Sequence, residues 1–260
     1  MTQAYENELI VLKFGTTSVC DKKTMEIKEK WIQSVGEEVK RLKEKGNKVI
    51  IFTSGGLATG RQEIVKIKLN NQKIQQNKKA LGAIGLSKLL YKWQKNFGHI
   101  GLLAAALTIR EEDIETTSIC ELILELTENG IVPIINENIP LQSDYNNDEL
   151  ASKICKKIGA SKFILFTDTD GIFTDNPKTN PTAKQLQVIN IDDIDVSLTE
   201  NESGLGSGGM REKLNSAIRV KTEGVDTIIA NGVNLYPISN LGIRNKCTVL
   251  TKKTDENGYK

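Results

Sequence analysis

Ile10-Val11-Leu12-Lys13-Phe14-Gly15-Thr16-Thr17-Ser18 is an apolar, strand-like run that carries a lysine near its end and then breaks into a turn of small residues. Open α/β sheets bind their ligands at the carboxyl ends of strands, which is where Lys13 would stand. Val49-Ile50-Ile51-Phe52-Thr53-Ser54-Gly55-Gly56 repeats the plan, a buried strand and then a glycine turn, and Phe163-Ile164-Leu165-Phe166-Thr167-Asp168-Thr169-Asp170-Gly171 gives a third strand with an acidic turn. Each segment alone fits an ordinary βα turn equally well. Gly204-Leu205-Gly206-Ser207-Gly208-Gly209-Met210-Arg211-Glu212-Lys213 adds a glycine-rich loop that ends in a lysine and runs into a helical pattern. Glycines let several backbone N–H groups converge on one anion, a helix N-terminus adds partial positive charge and a lysine adds a full one, so the loop reads as a phosphate cradle. Its spacing is not that of a P-loop, in which four variable residues separate the glycines and Ser or Thr follows the lysine.

Periodicity predicts strands at Leu9 to Phe14, Val49 to Thr53, Ile100 to Leu107, Val132 to Asn136, Phe163 to Thr167 and Thr227 to Ala230. Helices are expected at Thr24 to Lys45, Lys78 to Phe97, Thr116 to Glu128, Asp148 to Ile158 and Met210 to Thr222, with Gly46, Gly130 and Gly224 as stop signals. Glu63 to Gln76, rich in lysine and asparagine and weakly periodic, reads as a surface excursion over the substrate site. Strand followed by helix, repeatedly, means an α/β protein: a three-layer α/β/α sandwich around a mainly parallel sheet.

The chain has 260 residues, 38% hydrophobic and 26% charged, which suits one large domain with a substantial core. Lys+Arg number 35 against 33 Asp+Glu, so no broad basic surface for nucleic acid is implied. Cys20, Cys120, Cys155 and Cys247 lie far apart without a CxxC pair, against a zinc site or a disulfide scaffold; they read as reduced, mostly buried thiols. No stretch is long and apolar enough for a membrane span, so no membrane partner and a cytoplasmic location are expected. His99 is the only histidine and sits in a polar Phe-Gly-His turn, which leaves no basis for a Ser-His-Asp or Cys-His mechanism.

Together these segments resemble the amino acid kinase family, and within it the branch that phosphorylates the side-chain carboxylate of glutamate at the start of proline synthesis. Lys79-Ala80-Leu81-Gly82-Ala83-Ile84-Gly85 is similar to that branch's helix beside the substrate site, and Ile131-Val132-Pro133-Ile134-Ile135-Asn136-Glu137-Asn138 to its substrate-loop strand. The resemblance is collinear over nearly the whole chain. It implies the amino acid kinase (carbamate kinase-like) fold as a single domain over 1–260, with an acceptor-binding and oligomerisation lobe to about 160 and an ATP-binding lobe beyond. It also implies ATP and Mg2+ as cofactors, an amino acid as small-molecule substrate, and assembly as a homo-oligomer, dimer or tetramer, to which Leu81, Ile84, Leu89 and Leu90 would contribute. With the chain ending near Tyr259, the extra RNA-modification-type domain of many relatives is expected to be missing.

Carried over residue by residue, the resemblance makes Lys13 and Lys213 the cations on the transferring phosphoryl group and Asp148 the carboxylate that braces them. Thr167 and Asp168 match a nucleotide-contacting pair, and Ser207, Gly208, Gly209 and Met210 the phosphate cradle. Ser54, Gly55 and Asn147 match the acceptor side, and no residue is assigned to a metal. An acceptor carboxylate is already ionised, so such a transfer needs no general base. Departures from the family pattern cluster on the acceptor side. Ile139-Pro140 follows Asn136-Glu137-Asn138 where an aspartate normally meets the substrate amino group, Tyr145-Asn146 replaces a Gly-Asp, and Leu86 replaces a glutamine. Asp144, in the same loop, is assigned the missing acidic role. The alternatives are a kinase with another acceptor, such as a different carboxylate, a carbamate or a phosphate monoester, and a nucleotide-binding module without turnover.

Overall fold

A computed structural model describes residues 6–69, 71–141, 147–194, 208–242 and 246–253. Its strands are β1 (Leu9–Phe14), β2 (Lys48–Thr53), β3 (Ala104–Ile109), β4 (Val132–Glu137), β5 (Lys162–Thr167), β6 (Ile172–Phe173), β7 (Gln185–Leu186), β8 (Val188–Asn190), β9 (Asp226–Asn231) and β10 (Cys247–Thr251). Its helices are α1 (Thr16–Val19), α2 (Glu29–Glu44), α3 (Gly56–Lys66), α4 (Gln72–Gln76), α5 (Lys78–Gly98), α6 (Glu111–Glu115), α7 (Thr117–Glu128), α8 (Asn147–Lys157) and α9 (Gly208–Thr222). Eight strands form one sheet in the order β3-β4-β2-β1-β5-β9-β10-β8, and every pairing is parallel except β9 with β10. The three-layer architecture is the expected one.

The layers follow from alternation along each strand. Ile10, Leu12 and Phe14 face the cluster that contains Trp31 of α2 and Leu89, Trp93 and Phe97 of α5. Val11, Ile50 and Phe52 face the cluster that contains Ile123 of α7, Leu150 and Ile154 of α8, and Leu214 and Ala217 of α9. Aromatic rings fill the first layer, with Phe14 stacked on Phe166 at 4.6 Å between centroids and edge-on to Trp31 at 5.0 Å.

Several boundaries move from the sequence expectation. The helix expected from Thr24 starts at Glu29, because the Asp21 carboxylate accepts hydrogen bonds from the Lys23 and Thr24 amides and closes a turn there. The strand expected from Ile100 starts at Ala104, because the Ile100, Gly101 and Leu102 amides are used to close the end of α5. Glu63 to Gln76 is largely helical, split between the end of α3 and α4. Gly46, Gly130 and Gly224 take positive φ as helix stops should. The four cysteines are free, three of them buried. His99 is an exposed residue at the end of α5. Leu81, Leu89 and Leu90, expected to help build an oligomer face, belong to this chain's own core, and Ile84 is 38% exposed.

One packing constraint shapes the ground next to the site. A Cβ on Gly85 of α5 would lie 2.1 Å from the Gly56 carbonyl oxygen and 2.3 Å from the Gly60 nitrogen, and one on Gly60 would lie 2.1 Å from the Leu81 carbonyl oxygen. Helices α3 and α5 therefore touch backbone to backbone. Gly85→Ala should destabilise the protein by at least about 2 kcal/mol, because neither backbone can yield without parting the helices. Gly98→Ala, where an added Cβ meets nothing within 4 Å, should stay within about 1 kcal/mol of wild type on the stabilising side. Urea unfolding midpoints of the two variants test this, and equal losses would refute it.

Candidate active site

Alternation on β1 puts Lys13 on the face of Val11, beneath α8 and α9, and leaves it 3% exposed. Helix α8 begins at Asn147 and carries Asp148 in its first turn, where the helix dipole favours a negative charge. Lys213 comes from the second turn of α9. Lys13 Nζ pairs with Asp148 Oδ1, and Lys213 Nζ meets Asp148 Oδ2 at 3.1 Å. One carboxylate thus holds two ammonium groups together. Burial works against the charge on Asp148, yet Lys13 and Lys213 bring its carboxyl below the usual range. Burial likewise pulls the Lys13 ammonium below its ordinary value, against the opposing pull of Asp148.

These side chains line a cavity of about 230 Å³. Gly15 and Thr16 close it after β1, Ser54 and Gly55 between β2 and α3, Gly56 and Leu57 at the start of α3, and Asn136, Glu137 and Ile139 at and just after the end of β4. Gly55 has φ +120°, a conformation in which a side chain would be strained, and it turns the chain so that the first turn of α3 borders the cavity. The first amides of a helix have no partner within it, so this edge offers N–H donors to an anion. Glu212 of α9 completes the lining beside Lys213.

Asn136 and Asn147 fix the frame. Both side-chain amides donate to the Thr53 carbonyl oxygen at the end of β2. Asn147 Oδ1 accepts from the Glu137 amide at 3.0 Å, and Asn147 Nδ2 also reaches Ser54 Oγ at 3.3 Å. Asn147 therefore ties β2, β4 and α8 together at the point where Asp148 must be held.

Of the residues singled out in the sequence, Lys13, Ser54, Gly55, Asn147, Asp148 and Lys213 meet in this one cavity. Thr167 and Asp168 do not line it; they stand at the end of β5, the other neighbour of β1. Lys22 and Lys178 converge on Asp168 Oδ2 at 2.7 and 2.5 Å, and against the effect of burial they bring its carboxyl down to about 2. Gly208, Gly209 and Met210 form the first turn of α9, where Lys213 Nζ also donates to the Gly209 carbonyl at 3.3 Å and Met210 packs on the apolar cluster under that helix. Ser207 and Asp144 lie outside the described residues. Sequence reasoning missed Glu137 and Glu212. The signal for Glu137 was there, an acidic residue at the carboxyl end of a buried strand, but it was absorbed into the strand pattern.

Breaking the ion pair at one end should be costly. Asp148→Asn leaves Lys13 buried without its carboxylate and should lower stability by about 3 kcal/mol or more, while Lys13→Met added to it should restore part of the loss. Denaturant unfolding of the single and double variants checks this; strictly additive losses would show that the pair is not coupled.

The model of the amino acid kinase family matches residues 8–231. Glutamate 5-kinase from Pelagibacter ubique is 31% identical over 261 residues, covering 96% of this chain and 70% of that protein. Glutamate 5-kinase from Photobacterium profundum is 32% identical over 246 residues, covering 90% of this chain and 64% of that protein. The chain thus spans about two thirds of the length of these relatives. Carbamate kinase from Giardia lamblia bound to AMP-PNP superimposes with a TM-score of 0.69 at 14% identity, over 96% of this chain and all of that one, which places the two in one fold. The chain belongs to the amino acid kinase family.

Proposed function

We propose that this chain transfers the γ-phosphoryl group of ATP to the side-chain carboxylate of glutamate. The observation that carries the reading is Asp148 held between Lys13 and Lys213 on the wall of a cavity bordered by the start of α3. An acceptor carboxylate and a phosphoryl group are both anionic, so the site must first offset their repulsion and hold them in line. Lys13 supplies positive charge from the sheet side and Lys213 from the α9 side. Asp148 keeps both in place, and neither lysine acts as a nucleophile. Ser54 and the turn at Gly55 face the acceptor, and no group need remove a proton.

ATP would supply the phosphoryl group, and Mg2+ would offset the negative charge of its phosphates. Gly208, Gly209, Ser207 and Lys213 would hold the phosphates, with Thr167 and Asp168 nearer the nucleoside. Among the described residues no three His, Cys, Asp or Glu side chains group as a metal site, and Asp148 is engaged by the lysines, so the donor set fits a magnesium ion carried chiefly by phosphate oxygens. Assembly as a homo-oligomer in the cytoplasm belongs to the same reading. Its support is the family relationship, the exposed Ile84 on α5, and the lack, among the described residues, of a helix long and apolar enough to cross a membrane.

A second reading keeps the transfer but changes the acceptor to another carboxylate, a carbamate or a phosphate monoester. It is favoured by Ile139, an apolar side chain on the cavity wall where the resemblance implies an aspartate.

Incubation with ATP, magnesium, hydroxylamine and a panel of acceptor acids tests the first reading, since an acyl phosphate is trapped as a hydroxamate. Glutamate should give hydroxamate; ADP release without hydroxamate from any acid would defeat carboxyl transfer. Lys13→Ala and Lys213→Ala should each lower turnover on the true acceptor more than about a hundredfold, as loss of a preorganised charge does, with a smaller loss of ATP affinity. Near-normal turnover of either variant would remove that lysine from the mechanism.

A further inference from the structure

Glu137 has no task in the ion network described above. Of the carboxylates on the cavity wall, Asp148 is engaged by two lysines and Glu212 has an interaction of its own. Glu137 Oε2, by contrast, is buried and accepts no hydrogen bond from any described residue. The residue is otherwise firmly placed. It ends β4, pairs with Ile109 of β3, and donates its amide to Asn147 Oδ1 at 3.0 Å. A buried carboxylate oxygen left without a donor is unfavourable by an amount that a native structure tolerates at a site awaiting a ligand.

The groups around it narrow the chemistry of that ligand. Lys13 from β1 and Asp148 from α8 face it, with Lys78 at the start of α5 a further positive charge. Burial is the dominant influence and raises its carboxyl to about 7, with Asp148 reinforcing the rise and the lysines opposing it. Two residues on, Ile139 is 8% exposed and points at Gly56 and Gly82, so the neighbouring wall is apolar and contributes no charge. An ionised Glu137 repels a negative group that comes into contact with it. A divalent metal would find one carboxylate where it needs several oxygen ligands. An ammonium group has three donors on a compact charge and needs one well-placed carboxylate.

We propose that Glu137 binds the ammonium group of the amino acid acceptor, and so distinguishes an amino acid from the same acid lacking its amine. The proposal rests on the reading that the acceptor is an amino acid. It gives this chain a partner for the amine at the strand end, a different position from the aspartate that Ile139 replaces and from Asp144.

The test compares glutamate with glutarate, which keeps both carboxylates and lacks the amine, using the full chain. Calorimetric titration near pH 7 in two buffers of different ionisation heat reads proton exchange. Wild type should release protons on binding glutamate, because the ammonium requires Glu137 ionised, and should release none on binding glutarate. Glu137→Gln should abolish that release, raise the KM for glutamate by roughly 10- to 100-fold, as loss of a charge-assisted hydrogen bond does, and bring the preference for glutamate over glutarate close to one. Asp144→Ala should keep the preference. A wild type that prefers glutamate yet releases no proton, a Glu137→Gln variant that keeps the preference, or loss of the preference in Asp144→Ala instead would each overturn the role of Glu137. The wild-type titration stands even if the variant does not fold. A wild type that phosphorylates both acids equally keeps the functional reading and overturns only Glu137. One that phosphorylates neither sinks the functional reading and this inference with it.

Discussion

A buried ammonium on the central strand is the constraint around which the rest of this protein is arranged. Lys13 lies on β1, which has β2 on one side and β5 on the other, and it is 3% exposed. A cation so placed persists only with a counter-charge fixed close by, since burial penalises the charged form by more than any surface pair could offset. The fold meets this with the first turn of α8. The Asn147 side chain is bonded to Thr53, Ser54 and Glu137, so the adjoining Asp148 has little freedom to leave Lys13. Lys213 then approaches the second carboxylate oxygen from α9. Pairing, bracing and the parallel sheet are thus one arrangement: strand ends supply Lys13 and Thr53, and helix starts supply Asp148 and the amides at the cavity edge.

The acceptor side depends on a second constraint, the contact between α3 and α5. Gly56, Gly60, Gly82 and Gly85 leave no room for side chains between the backbones or beside Ile139. This draws α3 against α5 and sets the first turn of α3 at the cavity edge. In the proposed function, specificity and phosphoryl chemistry therefore rest on separate parts of the molecule. The lysines and Asp148 depend on β1, α8 and α9, whereas the shape of the facing cavity wall depends on α3, α5 and the end of β4. Such a division would let the wall around Ile139 vary while the charged network stays intact.

What was legible in the sequence followed from how local each signal is. Central strands buried on both faces are continuous apolar runs, so β1, β2, β4, β5 and β9 could be placed to within a residue or two. Lys13 and Lys213 stood out because a lysine at the end of such a strand, or just after a glycine loop, is locally anomalous. Short strands such as β6, β7 and β8 carry little periodicity, and β10 owes its place to antiparallel pairing with β9, a long-range fact. Helix α3 was hidden because its glycines, which in isolation argue for a turn, serve its packing on α5. The side chains of Asn136 and Asn147 reach Thr53 across 83 and 94 positions, and Asn147 reaches Ser54 across 93, beyond the range of any local pattern.

Glu137 shows where pattern reading stops and electrostatics must begin. Along the chain it continues Asn136 and precedes Asn138, and nothing in that triplet distinguishes a solvated acid from a buried one. Only the sheet reveals that it stands beside Lys13 and Asp148, whose side chains are engaged with each other. If Lys13 turned to Glu137 it would leave Asp148 with Lys213 alone, and a proton taken up by Glu137 removes the charge without giving Oε2 a donor. A positive group arriving from outside relieves the carboxylate and disturbs neither member of the pair. On the proposed function, the network that would meet the anionic end of an acceptor therefore leaves, along the same wall, a place suited to its cationic end.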